Sequence, residues 1–277
     1  MPTDPIEPGK NFPALPAEQR ADYVAGVLRL ALFYAWHKCR DGVALDEILN
    51  RRVHLYRLTV LWDGRLTPAG PGFPWETSSW GAVLRDLEGL CRRQRSAAAF
   101  EEAAFARLWP LAEPAVPRDV ARWPWIPEGY CPTPLPNEQV CGCFAWEPGR
   151  TPDSISIHIA NACMPASPFA DLRQRARELT ALVESARAAT PAARTLGCNS
   201  WLNTFPPFLK LFPDDWVRPG RPGEPGSGAN WWGQFMARDG SFHRRHGNAL
   251  RATLDFPWPA VDGFCSLDRL ADHLGRL

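Results

Sequence analysis

Between Pro110 and Pro136 prolines dominate, and because each lacks the amide N–H that helix and sheet ladders use, the stretch reads as a boundary or strap between two halves. Apolar residues before this stretch recur at helical spacing, and those after it alternate in short runs with strand period. The change divides the chain into a flexible arm over 1–16, a helical portion over 17–110, a proline- and tryptophan-rich strap over 111–137 and an α/β portion over 138–277. The fold class expected is α+β, with the N-terminal helical portion packed on a C-terminal mixed β-sheet.

Within the helical portion, residues 17–40 are apolar on nearly all sides from Val24 onward and stop at Asp41-Gly42, which predicts a central buried helix. Residues 45–60 continue at helical spacing; the stretch from Val53 to Val60 also alternates like a strand, and helix is the preferred reading. Gly70-Pro-Gly-Phe-Pro is a break, Ser78 or Ser79 can cap a helix to Arg93, and 97–108 supplies another. In the second portion, 139–146 and 154–161 read as a hairpin. Residues 168–188 read as a long helix started by Ser167 and Pro168, 194–200 as a third strand, 206–212 as a short helix and 231–237 as a fourth strand. The order is ββαβαβ.

A formal charge of +1 with arginines and acids interspersed leaves no concentrated basic face, so no nucleic-acid partner is expected. The longest apolar run, 24–36, is interrupted by Arg29 and falls short of the ~20 residues that a membrane span needs; no membrane partner is expected. The first residues carry acids and prolines where an export signal has a basic segment and an apolar run, so a cytoplasmic location with reduced thiols is expected for the 8 cysteines. Tryptophans and prolines fall together, as in Trp123-Pro-Trp-Ile-Pro and Phe256-Pro-Trp-Pro, which predicts stiff loops packed on the fold.

The densest chemistry lies in 139–203. In Ser154-Ile-Ser-Ile-His-Ile-Ala-Asn the isoleucines share one face, so His158 points from the other and is a candidate general base; a histidine merely satisfied by a neighbouring carbonyl is the bland alternative. Asn161, at the strand end, can hold a substrate carbonyl or serve the next turn. Cys198-Asn-Ser-Trp-Leu-Asn interrupts an apolar strand with polar groups. Here Cys198 is a candidate nucleophile if His158 is its neighbour, or a buried wall residue, while Asn199, Ser200, Trp201 and Asn203 are candidates for binding substrate. Trp232 and Gln234 share one side of the expected last strand and can line a small-molecule pocket, or pack in the core.

Metal and haem readings stand beside these. Cys141 and Cys143 alternate along a strand and, with Cys131 and Cys163, suggest zinc, although structural zinc more often uses Cys-x-x-Cys turns. His243 and His246 lie three apart on an expected basic helix, and His37 or His54 can in principle ligate haem, without a Cys-x-x-Cys-His attachment motif. The phosphate loop, the dinucleotide glycine turn, the nucleophile elbow and the zincin helix are absent from the sequence, so their chemistries lack an anchor.

Over 138–240 the element order, a hairpin strand feeding a long helix, then a strand, a short helix and a last strand, resembles the GNAT acyltransferase fold. The resemblance implies acyl transfer, with acyl-CoA gripped by a Gln/Arg-x-x-Gly-x-Gly/Ala turn between the hairpin strand and the long helix. This chain carries Asn161-Ala-Cys-Met-Pro-Ala-Ser-Pro-Phe-Ala-Asp there, so the CoA site so implied is degenerate or absent. The expected function is a small-molecule enzyme of acyl-transfer type, with a metal- or haem-dependent enzyme and a non-catalytic binding or assembly protein as alternatives.

Overall fold

The computed structural model describes residues 14–62, 68, 72–75, 77–121, 139–217, 225, 226 and 228–277. Along the chain come α1 (Ala17–Arg40), α2 (Ser79–Arg93), α3 (Ala97–Ala112) and α4 (Val116–Ala121). Strands β1 (Val140–Cys141), β2 (Phe144–Pro148) and β3 (Ser154–Ile159) follow, then α5 (Leu172–Ala189), β4 (Thr195–Ser200) and α6 (Pro206–Leu209). The chain ends with α7 (Ala229–Trp232), α8 (Arg244–Thr253), β5 (Val261–Ser266) and α9 (Leu267–Leu274). The fold class is α+β, as expected.

Two compact units result. The helical unit draws its described residues from 15–121 and 225–257, and the sheet unit from 139–217 and 258–277. The expected α/β portion over 138–277 is therefore interrupted, because 225–257 belongs to the helical unit. The expected arm lies almost wholly outside the described residues. So does the strap from 122 onward, and its described part, 111–121, is helical.

The helical unit is built around α1, whose Leu28, Leu30, Ala31, Leu32, Tyr34 and Ala35 are all fully buried, as a helix apolar on every side requires. Ser78 caps α2 by accepting from Gly81 N at 3.1 Å, and Ser96 caps α3 by accepting from Ala99 N at 3.2 Å. Phe242 is clasped where Gly26 of α1 and Gly247 of α8 lack side chains; a Cβ at these positions would come within 2.2 and 2.6 Å of its ring. Arg251 on α8 bridges both oxygens of Glu101 on α3 at 2.7 and 2.9 Å, the forked geometry that makes such pairs strong.

Residues 45–60 do not form one helix. A π-helical turn over Glu47–Arg52 gives way at His54, which takes φ 56, and a 3-10 turn over Leu55–Leu58 follows. A left-handed residue cannot continue a right-handed helix. The segment 231–237 is not a strand either: Trp231 and Trp232 end α7, and a 3-10 turn follows over Gly233–Phe235. Its aromatic rings pack with Phe256 and Tyr34, a cluster that an apolar run can build in either conformation.

The sheet unit is one five-stranded mixed sheet in the order β1-β2-β3-β4-β5. β3 and β4 are parallel and joined through α5; every other pairing is antiparallel. The first strand read as 139–146 is two, because Gly142 at φ 60 opens a two-residue turn between Cys141 and Phe144. Asp171 caps α5, accepting from Gln174 N at 2.9 Å. The expected cap Ser167 instead closes a turn, its hydroxyl accepting from Phe169 N at 3.3 Å. Phe144, Trp146, Ile155, Ile157 and Leu196 face Leu179, Leu182, Val183 and Ala186 of α5 and Leu267, Leu270 and Leu274 of α9 in one core.

Burial pushes the His54 imidazole down to about 4, with the Arg57 charge acting the same way. The unfolded chain therefore takes up this proton first as pH falls. Stability present above the ordinary histidine value is lost between about pH 6.5 and pH 4, by roughly 3 kcal/mol. His54→Asn, which tolerates the left-handed backbone and does not titrate, is expected to flatten the fall in Tm over that range; equal slopes in the two proteins would refute this.

Candidate functional site

The β2–β3 hairpin sets Ala145 opposite His158 and Glu147 opposite Ser156. Side chains alternate along each strand, so Glu147, Ser156 and His158 lie on the sheet face away from α5. There the ring Nε2 of His158 and Oε1 of Glu147 are 2.9 Å apart, with the side chains 38% and 27% exposed, a diagonal pair across the hairpin. The expectation for the orientation of His158 holds.

The parallel register sets Ile155 beside Leu196 and Ser156 beside Gly197. Cys198 thus follows Leu196 onto the covered face, while Asn199 follows Gly197 onto the face of His158. The thiol and the imidazole, whose pairing the nucleophile reading required, are on opposite sides of the sheet, and burial pushes the Cys198 thiol up to about 12. Its Sγ lies 3.8 Å from Oδ1 of Asn203. Cys198 is a wall of the core, the second of the two readings offered for it. On the open face Asn199 donates from Nδ2 to Oδ1 of Asp262 at 2.7 Å.

Most of the other candidates serve the backbone. Asn161 folds the loop after β3, accepting from Cys163 N and donating to Ala166 O, both at 3.0 Å. Ser200 accepts from Leu202 N at 3.1 Å and caps the 3-10 turn over Trp201–Thr204. Asn203, fully buried, donates to the carbonyls of Cys198 and Val261 at 3.1 and 2.8 Å and accepts from the Trp216 indole at 2.8 Å. Trp201 is half-buried and starts a chain of rings through Phe205 to Phe169 and Trp258, with centroids 5.6 to 6.1 Å apart. These rings collect where the parallel strands end, the edge at which α/β sheets bind ligands.

Trp232 and Gln234 lie in the core of the helical unit. The Trp232 indole donates to Gly226 O at 3.1 Å, and the Gln234 amide donates to Trp231 O at 2.8 Å; both residues are fully buried. They line no face of the sheet strand on which they were expected.

Among the described residues no three His, Cys, Asp or Glu side chains are grouped to hold a metal ion; Cys131 lies outside them. The His243 and His246 rings stack at 3.7 Å, and Nδ1 of His246 lies 2.7 Å from Gln234 O. Glu147 was missed because Glu147-Pro-Gly reads as a turn; the signal was the hairpin, which brings it diagonally across from His158. Asp262 was missed with its strand. Comparison with protein-family models, curated proteins and solved structures finds no match to this chain.

The two asparagines give a contrast in stability. Asn203→Ala leaves two carbonyls and an indole N–H without their partner and is expected to cost about 2–4 kcal/mol in urea unfolding. Asn199→Ala, at an exposed site, is expected to stay within about 0.5 kcal/mol. Equal effects would sink the assignment.

Proposed function

We propose that this chain is a small-molecule enzyme of the acyl-transfer type in which His158, oriented by Glu147, is the general base. The observation that carries the reading is the 2.9 Å contact between these side chains on a half-exposed sheet face. With Nε2–H donated to Glu147, the neutral imidazole carries its lone pair on Nδ1. That atom accepts a proton from an amine or hydroxyl as it attacks an acyl carbon, and the carboxylate stabilises the imidazolium that forms. Asn199, held by Asp262, orients the acceptor on the same face. The hairpin, crossover helix and parallel strand that occur in sequence here support a GNAT-like scaffold. The loop over 160–171 lacks the glycine turn of that family, so the acyl group arrives on CoA held without it or on another carrier.

The half-buried rings of Trp201, Phe205 and Trp258 favour a second reading, a non-catalytic binding protein whose aromatic edge takes a partner. The two readings separate on His158.

A thermal-shift series with acetyl-, malonyl- and longer acyl-CoAs tests the donor, since a ligand at about 100 times its Kd stabilises by about 2.7 kcal/mol. Chromatographic detection of released CoA with a panel of amines then tests transfer. His158→Ala is expected to lower the rate on the order of 10²-fold or more, with the Tm shift retained. Absence of any shift removes CoA as donor, and unchanged turnover in His158→Ala removes the base.

A further inference from the structure

Cys143 is the second residue of the β1–β2 turn and fully buried, whereas Cys163 lies in the loop after β3 and is half-buried. Their sulfurs are 3.8 Å apart. Both are anchored to a single buried ion pair on α5, Arg175 with Glu178, at 2.6 Å. The Cys143 N–H donates to Oε2 of Glu178 at 2.9 Å, and the Cys143 carbonyl accepts from Ala160 N at 3.0 Å. On the other side, Nη1 of Arg175 donates to Sγ of Cys163 at 2.8 Å and to Pro168 O at 3.0 Å. The proximity of the thiols is therefore enforced by backbone, loop and helix together. A disulfide needs its sulfurs about 2.05 Å apart, so the sulfurs at 3.8 Å must approach by under about 2 Å to close the bond.

We propose that Cys143 and Cys163 are a redox-sensitive pair that closes to an intramolecular disulfide on exposure to a low-molecular-weight disulfide. The half-exposed Cys163 gives up its proton and attacks one sulfur of R–S–S–R. That S–S bond breaks, and the departing thiolate takes up a proton to leave as R–SH. Cys143, losing its proton in turn, attacks the Cys163 sulfur of the mixed disulfide and expels a second R–SH. The protein thus loses two hydrogens and two electrons, and the reagent is reduced to two thiols. Burial pushes the Cys143 thiol up to about 12, which sets the order: Cys163 meets the reagent, and Cys143 resolves the intermediate. Once closed, the bond ties the β1–β2 turn to the loop that follows the strand of His158.

Oxidised glutathione is the probe. The folded full chain is incubated with it, quenched in acid, alkylated, digested and mapped by mass spectrometry, with circular dichroism recording that the fold is retained. The result expected is a cross-linked peptide pair containing Cys143 and Cys163. Cys143→Ser and Cys143→Ala should trap glutathione on Cys163, and Cys163→Ser should give no cross-link and leave Cys143 unmodified. Chymotrypsin cleavage after Phe169, in the tethered loop, should slow several-fold in the oxidised chain. Glutathione on Cys163 without the cross-link, an unmodified Cys163 in the folded chain, or a cross-link that forms only after denaturation overturns the proposal.

Discussion

Parallel strands cannot be joined by a tight turn, and the pairing of β3 with β4 therefore demands a crossover element, which α5 supplies. Its Ala176, Leu179, Leu182, Val183 and Ala186 recur at helical spacing and must be buried, so they cover one face of the sheet and commit every second strand residue to that side. The other face is left to Glu147, Ser156, His158, Asn199 and Asp262. The first two turns of α5 carry a further constraint, because Arg175 and Glu178 are removed from water as a pair. Deleting one partner of such a pair costs about 3–5 kcal/mol by stranding the other charge. Glycine at 142 is required twice over there: its φ is 60, and a Cβ would come within 2.0 Å of the Glu178 carboxyl carbon.

What could be read from the chain was local. The alternating isoleucines of β3, the serine cap of α2, the all-round apolar α1 and the span of β4 each carry their signal within a few residues. Register does not, and the relation of His158 to Cys198 is a question of register. A parallel ladder that sets Ser156 beside Gly197 fixes the two residues on opposite faces, and no property of either strand alone reports this. The run 231–237 failed for a different reason. Its tryptophans and phenylalanine are as compatible with a helical turn as with a strand, and their packing on Tyr34 and Phe256, far away in sequence, decided between them.

The polar residues that looked catalytic divide by what they bond. Asn161, Ser200 and Asn203 follow or end apolar strands where the chain must turn, and their side chains satisfy N–H and C=O groups of those turns. The proposed chemistry falls to the residues that the turns do not need. His158 and Asn199 sit within strands whose backbone is served by the ladder, and each is held by a carboxylate, Glu147 and Asp262. A strand-borne histidine steadied by a partner on the adjacent strand is more rigidly aimed than one on a loop.

The route of the chain between the two units bears on how it is made. After 121 the helical unit is left incomplete, and Phe256, on which Tyr34, Trp231 and Trp232 pack, has yet to be synthesised. The sheet in its turn waits for β5, so β4 presents an unpaired edge while 225–257 emerges from the ribosome. Each hydrophobic core therefore lacks some of its members until residues 256–274 have been made. The nascent chain carries an open strand edge and an unfilled aromatic socket at the same time, the condition in which a chaperone or a neighbouring polypeptide most readily intervenes.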